Sequence, residues 1–314
     1  AKPMFCIQIA EVLIAIENRY AFTERLCADY IVDTSPDDCD ISVAATPEEI
    51  AAENDEKGSF SPAYCESLAL YRKICTRMLD FNAFLFHAAI ISYAEQGFAF
   101  TAKSGTGKST HIAQWMRALG ERVTVVNGDK PILRWQSGGD IDAKTREITS
   151  EAPGGNAAKT PSAMHGEENP RTRTPSAAPS DGETADIACD QPAGRFIAYG
   201  TPYSGKENWG RNTSVPLRAV CFIERCEQGE ADCLTRLYDD REIVSRIMNQ
   251  ILMPKEPLLA ARQLDLLDKL LTSVTFYVLR CTPTPAAFEE AFKMTLCNNE
   301  NKRLRRDERH QYEN

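Results

Sequence analysis

The sequence predicts an α/β protein, a β-sheet flanked by helices, from three consecutive features. An apolar strand at residues 98–101 leads into a glycine-rich turn, a helical pattern covers residues 108–119, and a short apolar strand follows at 123–126. A strand, a tight loop, a helix and a second strand in this order are typical of α/β cores. We therefore expect the turn at the end of the first strand to be the centre of the molecule's chemistry.

Composition narrows the class of protein. Of the 314 residues, 43% are hydrophobic and 26% are charged, values close to the globular average, and the formal net charge is −9. An acidic chain lacks the basic face of a general nucleic-acid or membrane binder. No run of about 20 apolar residues and no secretory leader is found, so the expected location is the cytoplasm, with neither nucleic acid nor membrane as partner. The eleven cysteines contain no CxxC pair, so we expect reduced thiols.

Residues 1–80 predict an N-terminal layer of strands and helices. Short apolar bursts at 4–16 predict one or two strands, and residues 40–45 predict another. Ser61 followed by proline is a helix start, and apolar side chains at helical spacing extend that helix over 63–79. This α+β layer should pack on the core.

The remaining chain predicts a core in two pieces, 81–136 and 193–300, separated by an insertion at 137–192. The insertion contains no Phe, Tyr or Trp and is dense in Ala, Ser, Thr, Pro and Gly. It can bury too little apolar surface to offset the conformational entropy lost on ordering, so we predict that it is disordered. The charged segment 301–314 predicts a solvated tail. Later core elements are predicted as strands at 195–199, 215–224 and 274–279 and helices at 241–252, 257–271 and 285–296.

The segment AKSGTGKST at residues 102–110 carries most of the functional signal. It fits the phosphate-binding loop pattern with Ala102 in the first glycine position. Glycines let the backbone fold so that successive N–H groups point at phosphate oxygens, and the helix that follows directs its positive end to the same anion. The predicted nucleotide-binding residues are Lys103, Ser104, Gly105, Thr106, Gly107, Lys108, Ser109 and Thr110.

Two of these residues and a later acid form a predicted catalytic and metal-binding group. Lys108 would reach the β- and γ-phosphates, and the Ser109 hydroxyl would ligate Mg²⁺, which prefers hard oxygen donors. Asp129 lies just past the strand 123–126 and would complete the metal site or accept a proton. The alternative for Asp129 is a plain turn residue, since Asn-Gly-Asp is turn chemistry.

With these residues identified, the chain resembles the HPr kinase and phosphoenolpyruvate carboxykinase superfamily, and most of all the bacterial HPr kinase-related proteins. The resemblance covers nearly all of the chain apart from the insertion. It is carried by YCESLALYRKI (64–74), FLFHAAII (84–91), FTAKSGTGKSTH (100–111), VNGDKPILR (126–134) and YGTPYSGKENWGRNTSVPLRAVCFIER (199–225). It implies a P-loop-containing twisted mixed sheet of the carboxykinase/HPr kinase type, flanked by helices.

The resemblance also implies a role for His87. HPr kinases carry a histidine twenty-one residues before the loop lysine, and His87 stands at that spacing from Lys108. It would lie beside Asp129 near the transferred phosphate, where a histidine can orient an acceptor or tune a neighbouring pKa. The alternative is a histidine packed inside an apolar strand.

The departures from the family pattern limit what is carried over. HPr kinases have two adjacent acids where this chain has Gly128 and Asp129. The second HPr kinase motif and the acid-acid-Glu-His motif of the carboxykinases are not recognisable. Phosphorolysis, an HPr substrate and decarboxylation are therefore not expected.

The loop GTPYSGKENWG at residues 200–210 is the predicted acceptor side. Lys206 is suited to stabilise charge on the transferring phosphoryl group, and Tyr203 and Trp209 could form an aromatic wall. The alternative is an ordinary turn, for which these residue types are expected. The predicted substrate-binding residues are Thr201, Tyr203, Ser204, Gly205, Lys206 and Trp209.

Together these patterns predict an ATP- and Mg²⁺-dependent kinase that phosphorylates a hydroxyl of a small molecule or of a peptide or protein serine. Asp129, His87 and Lys206 are the predicted catalytic residues. The resemblance is also compatible with assembly of the protein into a homo-oligomer. The alternative function is a nucleotide-binding sensor or scaffold that does not transfer phosphate.

Overall fold

The computed structural model is a mixed α/β structure with two sheets flanked by helices. It describes residues 4–55, 57–103, 105–138, 194–227 and 229–296. The predicted tail 301–314 lies outside the described residues, and so does the predicted insertion 137–192 except for its first two residues. The first of these, Ser137, ends a strand.

The N-terminal layer contains a three-stranded sheet. Its strands are β1 (Met4–Ile9), β2 (Val12–Glu17) and β3 (Ile41–Ala44). Strand β2 lies in the middle, antiparallel to β1 and parallel to β3. The apolar bursts at 4–16 are therefore two strands joined by a tight turn, and the strand predicted at 40–45 is confirmed.

Three helices accompany this sheet, namely α1 (Ala21–Leu26), α2 (Pro47–Ala52) and α3 (Pro62–Met78). The Ser61 hydroxyl accepts a hydrogen bond from the Tyr64 N–H and so caps α3 as the sequence predicts. Helix α3 buries Leu70 and Ile74 in a core shared with the small sheet. The short helix α1 is not predicted by the pattern, because its six residues are too few for a clear period.

The larger sheet is mixed and curled. Its strands are β4 (Ala83–Leu85), β5 (Ala89–Tyr93), β6 (Gln96–Thr101), β7 (Val123–Asn127), β8 (Ile132–Ser137), β9 (Gly194–Tyr199), β10 (Ser214–Arg225), β11 (Cys233–Leu237) and β12 (Thr275–Cys281). They lie in the order β4-β8-β9-β10-β6-β5-β7, with β12 also paired to β10 and β11 to β12. Strand β10 can pair with three strands because its twelve residues span both halves of the sheet.

Strand direction decides which loops meet. Strands β10 and β12 run parallel to β6, and β5 runs antiparallel to β6 and β7. The ends of β6, β7, β10 and β12 and the start of β5 therefore share one edge of the sheet. We call this edge, with the loops that leave it, the functional edge.

Four helices cover the two faces of this sheet, namely α4 (Lys108–Leu119), α5 (Asp240–Ile247), α6 (Pro257–Ser273) and α7 (Ala286–Leu296). Helices α4 and α7 pack on one face through Trp115 and Met294. Helices α5 and α6 pack on the opposite face through Ile243 and Leu270. The side chains of β10 alternate in agreement with this layering. Cys221 packs in the core under α4 and α7, and its neighbours Val220 and Phe222 pack in the core under α5 and α6.

The structure differs from the predicted helix at 241–252, because α5 ends at Ile247. The next residues make other contacts: Ile251 forms a β-bridge with Phe86, and the Gln250 carbonyl accepts a hydrogen bond from the His87 N–H at 2.7 Å. Pairing with the chain that leads into β5 replaces the last helical turns. The remaining core helices agree with the sequence to within two residues.

None of the helices in the described part of the chain has the length and apolarity needed to cross a bilayer.

Candidate functional site

The glycine-rich turn joins β6 to α4 in the middle of the functional edge. Gly105 has φ 77° and Gly107 has φ 116°, both in the left-handed region, and Gly107 is the N-cap of α4. No atom lies within 4 Å of a Cβ placed on either glycine. The glycines are therefore required by backbone conformation and not by crowding.

The predicted phosphate-binding residues are open to solvent to different degrees. Lys103, Gly105 and Thr110 are exposed, and the four residues 106–109 are half-buried. Ser104 lies outside the described residues. The first N–H groups of α4 have no partner within the helix, so the start of this twelve-residue helix offers donors to a ligand.

Two predicted site residues, His87 and Lys108, meet on the carboxylate of a third, Asp129. The Oδ1 atom of Asp129 lies 3.0 Å from His87 Nε2 and 3.2 Å from Lys108 Nζ. They meet because β5 begins at the edge where β6 and β7 end, so residues preceding β5, following β6 and following β7 converge. Since a carboxylate only accepts, His87 Nε2 is the donor.

These contacts determine the charge of Asp129. Burial raises the pKa of the carboxyl, but the hydrogen bond from His87 and the positive charge of Lys108 lower it more strongly, so the pKa is lowered to about 2. Asp129 is therefore an anion at neutral pH. Its side chain is 26% exposed, which leaves a face open to a ligand.

Asn127 holds the turn that presents Asp129. Its Oδ1 accepts hydrogen bonds from the N–H groups of Asp129 (2.9 Å) and Lys130 (2.8 Å), and its Nδ2 donates to the carbonyl and hydroxyl oxygens of Thr201, both at 3.1 Å. This residue is fully buried and was not among the predicted site residues. Its signal in the sequence was the Asn-Gly-Asp motif, which is typical of turns. Here the asparagine side chain also holds the turn that presents Asp129.

The backbone of His87 is fixed as well. Its N–H donates to the Gln250 carbonyl, its carbonyl accepts from the Thr101 hydroxyl at 2.9 Å, and the next N–H, that of Ala88, donates to the Asp129 carbonyl at 3.1 Å. His87 therefore lies in a hydrogen-bonded segment between β4 and β5 and is not packed inside a strand.

The loop 200–210 lies directly over this turn. A Cβ on Gly128 would be 2.7 Å from the Ser204 carbonyl and 3.1 Å from the Trp209 carbonyl, and one on Gly205 would be 3.1 Å from Asp129 Cβ. Backbone contacts this close leave no room for a side chain at position 128. The second acid of the HPr kinase pattern could not be accommodated here.

The predicted acceptor residues divide into buried and surface positions. Thr201, Tyr203 and Ser204 are buried. The Tyr203 ring stacks on Tyr71 at 3.8 Å between centroids, and its hydroxyl donates to the Ser67 carbonyl at 2.8 Å. Tyr203 thus supports the loop from below, which corrects the expectation that it lines an open aromatic wall.

Gly205, Lys206 and Trp209 remain at the surface of the same loop, the first two exposed and the last half-buried. Lys206 makes no hydrogen bond or ion pair with another described residue. Its ammonium group is therefore exposed and unpaired among the described residues.

Arg225, at the end of β10, was not predicted as a site residue. Its guanidinium donates to the carbonyl of Thr106 through Nε at 3.2 Å and to the carbonyl of Gly105 through a terminal nitrogen. Both carbonyls belong to the glycine-rich turn. A fork of this kind is a property of arginine that sequence spacing does not show.

The described residues contain no cluster of three His, Cys, Asp or Glu side chains that could hold a metal ion by themselves. All nine cysteines in the described ranges are free thiols. The predicted metal ligands, the Asp129 carboxylate and the Ser109 hydroxyl, are oxygen groups of the kind that Mg²⁺ prefers.

Models of known protein families give no match to this chain, and neither do the curated proteins.

Proposed function

We propose that the protein is an ATP-dependent kinase of the carboxykinase/HPr kinase type, which transfers the γ-phosphoryl group to a hydroxyl of a small molecule or of a peptide or protein serine. The observation that carries the proposal is the meeting of Lys108 and His87 on the Asp129 carboxylate, beside a left-handed glycine turn at the start of a helix. An anion cradle and a carboxylate held side by side are the two parts that phosphoryl transfer requires.

In this proposal the turn and helix α4 hold the phosphates through backbone N–H groups. Lys108 leaves Asp129 and turns to the β- and γ-phosphates when the nucleotide binds. The bond from the γ-phosphorus to the bridging oxygen breaks, a bond to the acceptor oxygen forms, and ADP leaves with the electron pair. Most of the acceleration comes from positioning and charge stabilisation, because the transition state is loose.

Asp129 accepts the hydrogen bond of the acceptor hydroxyl and then its proton. A carboxylate with a pKa of about 2 is a weak base, so it takes the proton late in the reaction. The acceptor proton becomes acidic enough for this transfer only as the oxygen–phosphorus bond forms. His87 keeps its contact and orients the carboxylate.

The donor set at the turn fits Mg²⁺, which takes one or two protein oxygens and completes its shell with phosphate oxygens and water. Asp129, as an anion, and Ser109 would hold it. When bound, Mg²⁺ supplies positive charge to the phosphate oxygens. The acceptor would lie on the side of Gly205, Lys206 and Trp209, where Lys206 would offset charge on the transferred group.

A transfer assay with labelled ATP and a panel of hydroxyl acceptors, including serine peptides, tests the proposal. We expect Lys108→Ala to abolish ATP turnover and Asp129→Asn to lose transfer by at least about 100-fold while nucleotide binding is kept. Lys57→Ala and Asp80→Asn remove the same charges at other positions and should be active.

Full activity of Asp129→Asn with every acceptor would contradict the role of Asp129. Binding of Mg·ATP without transfer to any acceptor would favour the sensor or scaffold function instead. No binding of either Mg·ATP or Mg·GTP in calorimetry would overturn nucleotide chemistry altogether.

A further inference from the structure

The N-terminal layer reaches the candidate site through helix α3. The buried face of this helix belongs to a core that also takes in the small sheet, part of the larger sheet and the loop 200–210. Ser67 and Tyr71, one turn apart on the helix, make hydrogen bonds outside the layer. One bond goes to the loop 200–210 and the other to the turn that presents Asp129, so α3 contacts both segments that border the carboxylate.

The Tyr71 hydroxyl holds the residue that follows the carboxylate. It donates a hydrogen bond to the Lys130 carbonyl at 2.7 Å, and the Thr201 hydroxyl donates to the same carbonyl at 2.8 Å. The Lys130 N–H donates to Asn127 Oδ1 at 2.8 Å and to the Tyr203 carbonyl at 3.2 Å. Lys130 is therefore fixed at both of its backbone polar groups, and Tyr71 supplies the contact that comes from the N-terminal layer.

Tyr71 is itself held firmly. Its side chain is buried, with 3% of the residue exposed, and its ring stacks on Tyr203. The Tyr203 hydroxyl donates back to the Ser67 carbonyl of the same helix. Burial raises the pKa of Tyr71 and of Tyr203 well above the ordinary value of tyrosine, so both hydroxyls keep their protons and remain donors.

The position of Lys130 matters because a planar peptide unit joins it to Asp129, so that a movement of one residue is passed to the other. Phosphoryl transfer depends steeply on placement, and a displacement of about 1 Å can cost about 100-fold in rate. Nucleotide binding depends on a different segment, the glycine-rich turn after β6. A disturbance at Lys130 should therefore slow transfer more than it weakens nucleotide binding.

We propose that Tyr71 is a positioning residue of the kinase, which holds from the N-terminal layer the turn that presents Asp129 to the phosphate cradle. This inference rests on the proposed function. The N-terminal layer is then a part of the site, because a single helix sets the place of the carboxylate and of the loop 200–210 together.

Tyr71→Phe tests the proposal. The variant keeps the ring that stacks on Tyr203, and the Lys130 carbonyl keeps its bond from Thr201, so the protein should fold. Steady-state turnover of Mg·ATP is measured with water or, where faster, with a serine peptide of the acceptor panel. We expect kcat to fall about tenfold and the KM for Mg·ATP to stay within about twofold of wild type.

Tyr30→Phe is the matched control. Tyr30 is buried in the same core, and its hydroxyl has no hydrogen-bond partner in the described part of the chain. The control should keep both kcat and KM. In nucleotide-free protein, hydrogen exchange of the Lys130 N–H should become about tenfold faster in Tyr71→Phe and stay unchanged in Tyr30→Phe, because only the first substitution loosens the turn.

Urea denaturation of both variants separates stability from rate, since a merely structural role of Tyr71 would lower stability and leave the kcat of folded protein unchanged. Wild-type kcat in folded Tyr71→Phe, or unchanged exchange at Lys130, would overturn the positioning role and leave the proposed function intact. A wild-type protein that turns over Mg·ATP with no acceptor, water included, would overturn the proposed function and this inference together.

Discussion

At the scale of single residues, the environment of each histidine decides its chemistry. His87 donates to Asp129 and is partly exposed, whereas His111, a residue of α4, is only 4% exposed. His111 Nε2 accepts a hydrogen bond from Trp115 Nε1 at 3.0 Å, so the neutral ring carries its proton on Nδ1. Only one of these two residues is therefore placed for proton chemistry with a ligand.

His111 should make stability depend on pH. Burial lowers its pKa from 6.5 to about 4, so the unfolded chain binds a proton at a higher pH than the folded protein. The free energy of unfolding should fall as pH falls from about 6.5 to 4, by up to about 3 kcal/mol from this residue. Urea denaturation at pH 8, 6.5 and 5 measures it, and His111→Gln, which can still accept from Trp115, should show a flatter profile. An equal pH dependence in the variant would contradict this account.

At the scale of elements, the site is built from loops that lock together. The turn after β7 is held by Asn127, and the loop 200–210 closes over it through backbone contacts at Gly128. Arg211 N–H also donates to the Val126 carbonyl at 3.1 Å, which ties the same loop to β7. These contacts fix the distance between the carboxylate and the predicted acceptor loop.

Gly128→Ala should therefore disturb both loops at once. A Cβ at 2.7 Å from a backbone carbonyl must push the loop 200–210 outward, and we expect a loss of about 1–3 kcal/mol in the free energy of unfolding. Denaturant unfolding measures the loss. Under the proposed function, transfer activity should fall more than nucleotide affinity, because the loop that moves is the proposed acceptor loop. A variant as stable and active as wild type would show that the loop yields freely.

At the scale of the whole molecule, the predicted insertion leaves the core at a defined place. Strands β8 and β9 pair antiparallel, with Ile132 opposite Tyr199 and Ser137 opposite Gly194. The first pair lies at the end of the hairpin near Asp129, and the second at the far end, about 17 Å away along the strands. The two ends of the chain segment 139–193 thus start from neighbouring backbone positions, remote from the candidate site.

Replacing residues 138–193 by a two-residue Asn-Gly turn should keep the fold and the nucleotide affinity. The two strands are already in hairpin register, and a two-residue turn suits such a hairpin. Circular dichroism, thermal melting and calorimetry with Mg·ATP measure the outcome. Loss of folding, or of nucleotide affinity in a folded variant, would assign the segment a structural or binding role.

The sequence by itself determined the local parts of this protein: the strand 98–101, the glycine turn, helix α4 and the strand after it. These follow from short-range periodicity and from backbone conformations that glycine alone adopts readily. The pairing of His87 with Asp129 also followed from the sequence, because the resemblance supplied a spacing.

Tertiary structure decided the rest. The burial of Tyr203 against Tyr71, the missing space at Gly128 and the fork of Arg225 on the turn each depend on residues about 75 to 130 positions apart in the chain. No local pattern encodes such contacts, since they arise only when the sheet curls and its loops meet.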